Sequence, residues 1–131
     1  MREQDLRIIA QFRAEGGLTM GQMDVLLLHH TGAKSELDYV TPLSYVMQAG
    51  DWIIIAGNSG LPTNPGWYFN LKAFPLTEIE VGAATIPVTA TEITGDERDA
   101  VWAELCASRP DLAGFQNGLD RVIPLFRLTP R

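Results

Sequence analysis

Apolar and polar positions alternate along most of this chain with the two-residue period of β-strands. This alternation, together with short apolar runs, predicts six strands: Val25–His30, Tyr39–Met47, Trp52–Ala56, Glu78–Val81, Ala84–Thr94 and Val122–Leu128. Turn sequences separate them, and Ala49-Gly50-Asp51 and Gly82 mark two hairpins. The unbroken apolar run of Trp52–Ala56 predicts a strand that is buried on both faces.

Three segments show helical spacing instead. Residues 3–15 predict a helix that a glycine pair ends. Residues 65–74 predict a second helix, with Asn64-Pro65 read as an N-cap followed by proline at the first helical position. Residues 96–107 predict a third, opened by a capping box over Thr94–Glu97.

The order of these elements is helix, three strands, helix, two strands, helix, strand. Hairpin connections without a strand–helix–strand rhythm favour an antiparallel barrel over a parallel sheet. The sequence therefore predicts a mainly β protein with rim helices, of the α+β class, built on a six-stranded antiparallel barrel. Pro87 has no N–H for a ladder and predicts a sheet edge or a bulge. Because the sequence contains neither an internal repeat nor a linker segment, residues 1–131 are expected to form a single domain.

Composition narrows the function classes. The chain has 131 residues, a net charge of −6 and no basic stripe, which argues against a nucleic-acid partner. The N-terminus is charged where a signal peptide would be apolar, and the apolar runs are too short for a membrane-spanning segment. The single cysteine, Cys106, fits a reducing compartment, and we expect a cytoplasmic protein.

The chemistry-bearing residues suggest a ligand site rather than a metal centre or a nucleophilic triad. His29 and His30 are adjacent on a predicted strand and point to opposite faces, so no metal site is expected. The glycine-containing loop 57–60 leads from a buried strand onto a helix start, which suits an anionic or electron-rich ligand. Trp67 would supply an aromatic wall, although a packed turn with Trp67 in the core is the alternative.

Three sequence motifs around this site resemble those of a known protein family. They are Leu27-Leu28-His29-His30-Thr31-Gly32-Ala33-Lys34-Ser35, Thr41-Pro42-Leu43-Ser44-Tyr45, and Ala56-Gly57-Asn58-Ser59-Gly60-Leu61-Pro62-Thr63-Asn64-Pro65-Gly66-Trp67-Tyr68-Phe69-Asn70-Leu71. With the ending Asp120-Arg121-Val122-Ile123-Pro124-Leu125-Phe126 and the segment 110–116, the chain resembles the deazaflavin-dependent nitroreductases of actinobacteria over nearly its whole length.

The resemblance implies a split β-barrel and the deazaflavin coenzyme F420, which carries hydride to a nitroaromatic, a quinone or an activated enone. It implies that the turn at residues 33–35 holds the phosphate and glutamyl tail, and that residues 39–44 line its other side. Residues 56–58 would lie along the ring, and the helix at residues 66–70 would close the pocket. The coenzyme-binding residues implied are Ala33, Lys34, Ser35, Tyr39, Val40, Thr41, Pro42, Leu43, Ser44, Ala56, Gly57, Asn58, Gly66, Trp67, Tyr68 and Asn70.

Several positions depart from the family pattern. Tyr39 stands where a basic residue is common, Glu36 replaces a glycine, and Asp38 lies beside them. Because carboxylates repel a polyanionic tail, an FMN-dependent reductase stays open as an alternative. Gly57, Leu112 and Phe115 also lack hydroxyls that the pattern carries, which leaves open a non-catalytic flavin- or deazaflavin-binding barrel. The proton donors available are Tyr39, Ser44, Tyr45 and Ser59, and the sequence leaves open both the donor and a choice between monomer and homodimer.

Overall fold

The structure, a computed structural model, describes residues 3–20 and 23–131. In chain order its helices and strands are α1 (Glu3–Glu15), β1 (Leu18–Met20), β2 (Met23–Thr31), β3 (Asp38–Gln48), β4 (Asp51–Ile55), α2 (Gly66–Ala73), β5 (Leu76–Val81), β6 (Ala84–Ile93), α3 (Gly95–Ser108), α4 (Asp111–Asn117) and β7 (Leu125–Pro130). A single 3-10 turn, Asn58–Gly60, follows β4. Residues 1 and 2, the start of the segment used to argue against a signal peptide, lie outside the described residues. The single domain over 1–131 stays a prediction.

Six of the strands close into an antiparallel barrel. They are hydrogen-bonded in the order β2-β3-β4-β7-β6-β5, and β5 returns to β2 through the pairs Leu27–Glu80 and Leu28–Ile79. The predicted six-stranded antiparallel barrel is therefore confirmed. The short β1 pairs with the start of β2 and was not predicted, because its three residues are too few to show a period.

The strand β4 is buried on both sides, as its apolar run predicts. Ile54 points into the barrel, where it packs with Leu28 and Phe126. Its neighbour Ile53 points outward into a second cluster, beneath α3 and α4. Both isoleucines are fully buried, because the barrel interior covers one face of β4 and the helices cover the other.

Two helices pack against the barrel, one on its outer face and one against its interior. The predicted helix over 3–15 is present as α1, which packs Ile9 and Phe12 on the outer face of β2. Helix α2 inserts Trp67 and Leu71 among the residues of the barrel interior. Helix α2 therefore closes the barrel interior with these side chains.

The predicted helix caps are not made as expected. The N-cap of α2 is Pro65 instead of Asn64, because the Asn64 side chain accepts a hydrogen bond from Arg121. Thr94 does lie at the N-cap of α3, but no side-chain cap bond forms there. The capping-box prediction therefore places the helix start correctly and its hydrogen bonds wrongly.

The C-terminal region differs most from the sequence prediction. Strand β7 begins at Leu125 instead of Val122, because side chains hold the residues before it: Gln116 Oε1 accepts from the Ile123 N–H, and Arg98 donates to the Ile123 carbonyl. Helix α4 was not predicted as a helix.

The prediction for Pro87 agrees with the register. Pairing of β6 with β7 begins at Val88–Pro130, and beyond this pair the Arg131 N–H donates to the Pro87 carbonyl, so Pro87 lies at the end of the β6–β7 ladder, where its missing N–H interrupts no further pairs. Among the described residues, no helix has the length and apolar character needed to cross a membrane.

Candidate functional site

The turn between β2 and β3 begins the site. Two backbone hydrogen bonds close it, from Gly32 N–H to the Leu37 carbonyl at 2.8 Å and from Glu36 N–H to the Gly32 carbonyl at 2.9 Å. Gly32 is buried, and a Cβ there would collide with the Ser35 hydroxyl, so a larger residue would require the Ser35 side chain to rotate. Glu36 adopts a left-handed φ of 58°, a conformation in which a glycine would be unstrained.

Two adjacent cavities lie at this end of the barrel, and one of them is lined by the turn. The turn cavity, of about 1190 Å³, lies between the turn, the end of the barrel and α2. The loop cavity, of about 380 Å³, lies between β3, the 57–60 loop and α4. Asp5, Thr41 and Trp67 line both cavities, which are therefore adjacent and are together called the groove.

A chain of hydrogen bonds forms the wall between the turn and the barrel. The Ala33 N–H donates to Asn70 Oδ1 at 2.9 Å, and Asn70 Nδ2 lies 2.9 Å from His30 Nδ1. His30 Nε2 lies 2.8 Å from Thr41 Oγ1, and the imidazole stacks on Tyr39 with ring centroids 5.6 Å apart. Burial, and to a lesser degree the neighbouring His29, lowers the pKa of His30 to about 4.

Arg121 holds the loop that borders the loop cavity. Its guanidinium donates to the carbonyls of Ala56, Gly57 and Leu61 and to Asn64 Oδ1, at 2.8 to 3.2 Å. One side chain thus ties both ends of the loop to the segment before β7. The sequence contained Arg121 within a family motif but gave no indication of this role.

The charges of the groove differ from those expected at the turn. Lys34 lies in the turn cavity, as predicted, and Lys72 lines the same cavity while its ammonium pairs with Glu92 at 2.8 Å. This hydrogen bond raises the pKa of Lys72. Glu36 and Asp38, which were expected to repel an anionic tail, do not line the groove.

Most of the predicted site residues come together. Those lining the groove are Ala33, Lys34, Ser35, Tyr39, Thr41, Gly66, Trp67 and Asn70 in the turn cavity, and Thr41, Pro42, Leu43, Ser44, Gly57, Asn58 and Trp67 in the loop cavity. Of the four possible proton donors, Tyr39, Ser44 and Ser59 line the groove. Tyr45 packs against the barrel interior, where burial raises its pKa.

Three predicted residues lie away from the groove. Val40 alternates to the outer face of β3 and packs against the cluster under α1. Ala56 is fully buried in the barrel core. The Tyr68 hydroxyl donates to Glu92, and its ring packs on Phe126, so it faces away from both cavities.

Other groove residues are not among the coenzyme-binding residues that the resemblance implies. His30 was considered only as a metal ligand, although the alternation of β2 places it inward at the end of the strand. Arg109, Leu112 and Phe115 reach the loop cavity from α4 and the segment before it. Among the described residues, no group of three or more His, Cys, Asp or Glu side chains could hold a metal ion.

Comparison with known proteins gives the family. Residues 1–130 match the model of the family described as F420H(2)-dependent quinone reductase. An F420H(2)-dependent quinone reductase of Mycobacterium tuberculosis (strain ATCC 25618 / H37Rv) is 37% identical over 109 residues, covering 81% of this chain and 73% of that protein.

Solved structures agree. One described as an F420-H2 dependent reductase (FDR-A) is 36% identical, with a TM-score of 0.69 over 79% of this chain and 92% of that one. Another, described as a domain-swapped dimer, is 35% identical, with a TM-score of 0.73 over 97% of this chain and 95% of that one. The fold and the groove thus define a split-barrel reductase. This chain belongs to the F420H2-dependent quinone reductase family.

The chain is accordingly an oxidoreductase, and its coenzyme is F420. The groove suits such a coenzyme, because it is long, carries a lysine at one end and has apolar side chains at the other. A Cβ placed at Gly57 or Gly66 would meet nothing within 4 Å, so the walls beside both residues are open to a planar ring.

Proposed function

We propose that this enzyme reduces quinone-type acceptors, and also nitroaromatics and activated enones, with hydride from reduced F420 bound along the groove. F420, when bound, supplies the hydride. The observation that carries the proposal is the adjacency of the two cavities, which share Thr41 and Trp67. The turn cavity offers a lysine for an anionic tail, and the loop cavity offers apolar side chains for flat rings.

In this arrangement Lys34 pairs with the phosphate or the glutamyl tail, and Ala33 and Ser35 flank it. The loop cavity holds the ring between β3 and the loop, with Gly57 and Asn58 on one side and Pro42 and Ser44 on the other. Leu112 and Phe115 exclude water from the place where an acceptor ring would stack.

The test is a fluorescence titration of the purified protein with oxidised F420 and, separately, with FMN. Turnover is then followed as loss of reduced F420 with a quinone, a nitroaromatic and an enone. We expect F420 to bind more tightly than FMN, and the quinone to be reduced. Tight FMN binding without F420 binding would refute the proposal. Reduction of the quinone alone would restrict the acceptor class.

The tail position has its own test. Lys34→Ala should weaken F420 binding about fivefold at low salt, since an exposed cation contributes about 1 kcal/mol to an ion pair. The loss should shrink at high salt through screening. Lys34→Arg, which keeps the charge, is the matched control. Equal affinity of the wild type and the alanine variant at low salt would place the tail elsewhere.

We also propose that the enzyme is a homodimer, because the similar solved chain described as a domain-swapped dimer aligns with 97% of this one. Light scattering should then give twice the 14.4 kDa mass of one chain. A mass equal to that of one chain at micromolar concentration would refute this.

A further inference from the structure

The hydrogen-bond chain beside the turn has a defined direction. A backbone N–H can only donate, so the Ala33 N–H fixes Asn70 Oδ1 as its acceptor. The NH2 group of Asn70 therefore faces His30 and donates to Nδ1, which carries no proton. The imidazole proton is then on Nε2, which donates to Thr41 Oγ1. With its oxygen accepting from His30, the Thr41 hydroxyl has its own hydrogen left to donate.

The surroundings hold His30 in this neutral form. A proton on Nδ1 would point at the NH2 group of Asn70, so two donors would face each other. The side chain is buried, with 7% of its surface exposed, and Tyr39 stacks on the ring. Burial also lowers the His30 pKa to about 4, so the same tautomer persists throughout the neutral range.

The free hydrogen of Thr41 lies where the two cavities meet. Thr41 lines both of them, and within residues 3–20 and 23–131 its hydroxyl has no second hydrogen-bond partner. A half-buried donor at this place lacks only an acceptor, which a bound ligand would supply.

We propose that His30 is a positioning residue: through its hydrogen bond it orients the Thr41 hydroxyl as a donor to a carbonyl oxygen or ring nitrogen of F420 in the groove. The inference rests on the proposed function. His30 need not touch the coenzyme, because it acts by occupying one of the two lone pairs of the Thr41 hydroxyl, which confines the hydroxyl hydrogen to the two remaining directions.

A double-mutant cycle read by F420 affinity tests this role. Thr41→Val keeps the shape and removes the hydroxyl, and should weaken binding about two- to tenfold, the loss of one hydrogen bond. Thr41→Ser should bind like the wild type. His30→Leu should cost a similar factor, but less than twofold when added to Thr41→Val, because the hydroxyl it orients is already gone.

Rescue and control variants separate positioning from simple packing. His30→Gln should restore most of the affinity, since its amide accepts from Asn70 and donates to Thr41. His29→Leu is the matched control, because this neighbour pairs with Glu80 on the other face of β2 and should leave affinity unchanged. Circular dichroism of each variant checks that it is folded.

Two results would overturn the inference alone: Thr41→Val binding F420 as tightly as the wild type, or losses from His30→Leu and Thr41→Val that multiply in the double variant. A wild-type protein that does not bind F420 would overturn the proposed function and this inference together.

Discussion

Replacing Arg121 by methionine should loosen the loop that borders the loop cavity. The guanidinium serves four acceptors, and methionine keeps the apolar stem while removing every donor. Ala56 is fully buried, so its carbonyl would be left without the Arg121 donor, at a cost of about 1–3 kcal/mol. The other acceptors can reach water. We therefore expect about 2–3 kcal/mol of destabilisation, or about 8–12 °C in Tm for a domain of this size.

Thermal unfolding measures the global effect, and hydrogen exchange localises it. The Gly60 and Leu61 N–H groups bond to the carbonyls of Gly57 and Asn58 at 3.0 Å within the loop, and both should exchange faster in the variant. F420 affinity should fall as well, because the loop lines the groove. The control is Arg7→Met on α1, which should change Tm little because the Arg7 side chain is 77% exposed. A wild-type Tm together with unchanged exchange at both amides would show that Arg121 does not hold the loop.

Two further outcomes follow from the turn and its histidine. Glu36→Gly should raise the free energy of unfolding by up to about 1 kcal/mol, since the φ of 58° costs a non-glycine residue that much, and urea unfolding showing destabilisation would contradict this. The pKa of His30 lies near 4 in the folded protein and near 6.5 in the unfolded chain. The stabilisation that neutral His30 gives to the folded state is therefore complete above pH 6.5 and is lost as the pH falls toward 4. Between pH 7 and pH 5 the wild type should lose about 2 kcal/mol more than His30→Gln, and equal losses in urea titrations would show that His30 does not titrate in this way.

Local patterns of the sequence accounted for the elements but not for the contacts between them. The apolar run of β4 showed burial on both faces because that property belongs to one strand. The alternation of β3 also places the Val40 side chain on the outer face of the barrel, but the family resemblance implied that Val40 binds the coenzyme. The contact between His30 and Asn70 spans 40 residues, and only the closed barrel brings them together.

The caps and α4 show the same limit. Asn64 has the side chain of an N-cap, but its oxygen is taken by Arg121 from the far end of the chain. Helix α4 has seven residues and one buried side chain, too short for a periodic pattern to reveal. In both cases tertiary contacts outweigh local preference.

The groove draws its walls from α1, β3, α2, the loop after β4 and α4, so no contiguous piece of the chain contains it. Coenzyme binding and global unfolding are thus thermodynamically linked: an unfolded chain has no site to offer. Saturation at a hundred times Kd would stabilise the native state by about 2.7 kcal/mol. In a cell, the supply of F420 would then influence how long each molecule of this enzyme survives proteolysis, and the coenzyme pool would help set the enzyme's abundance.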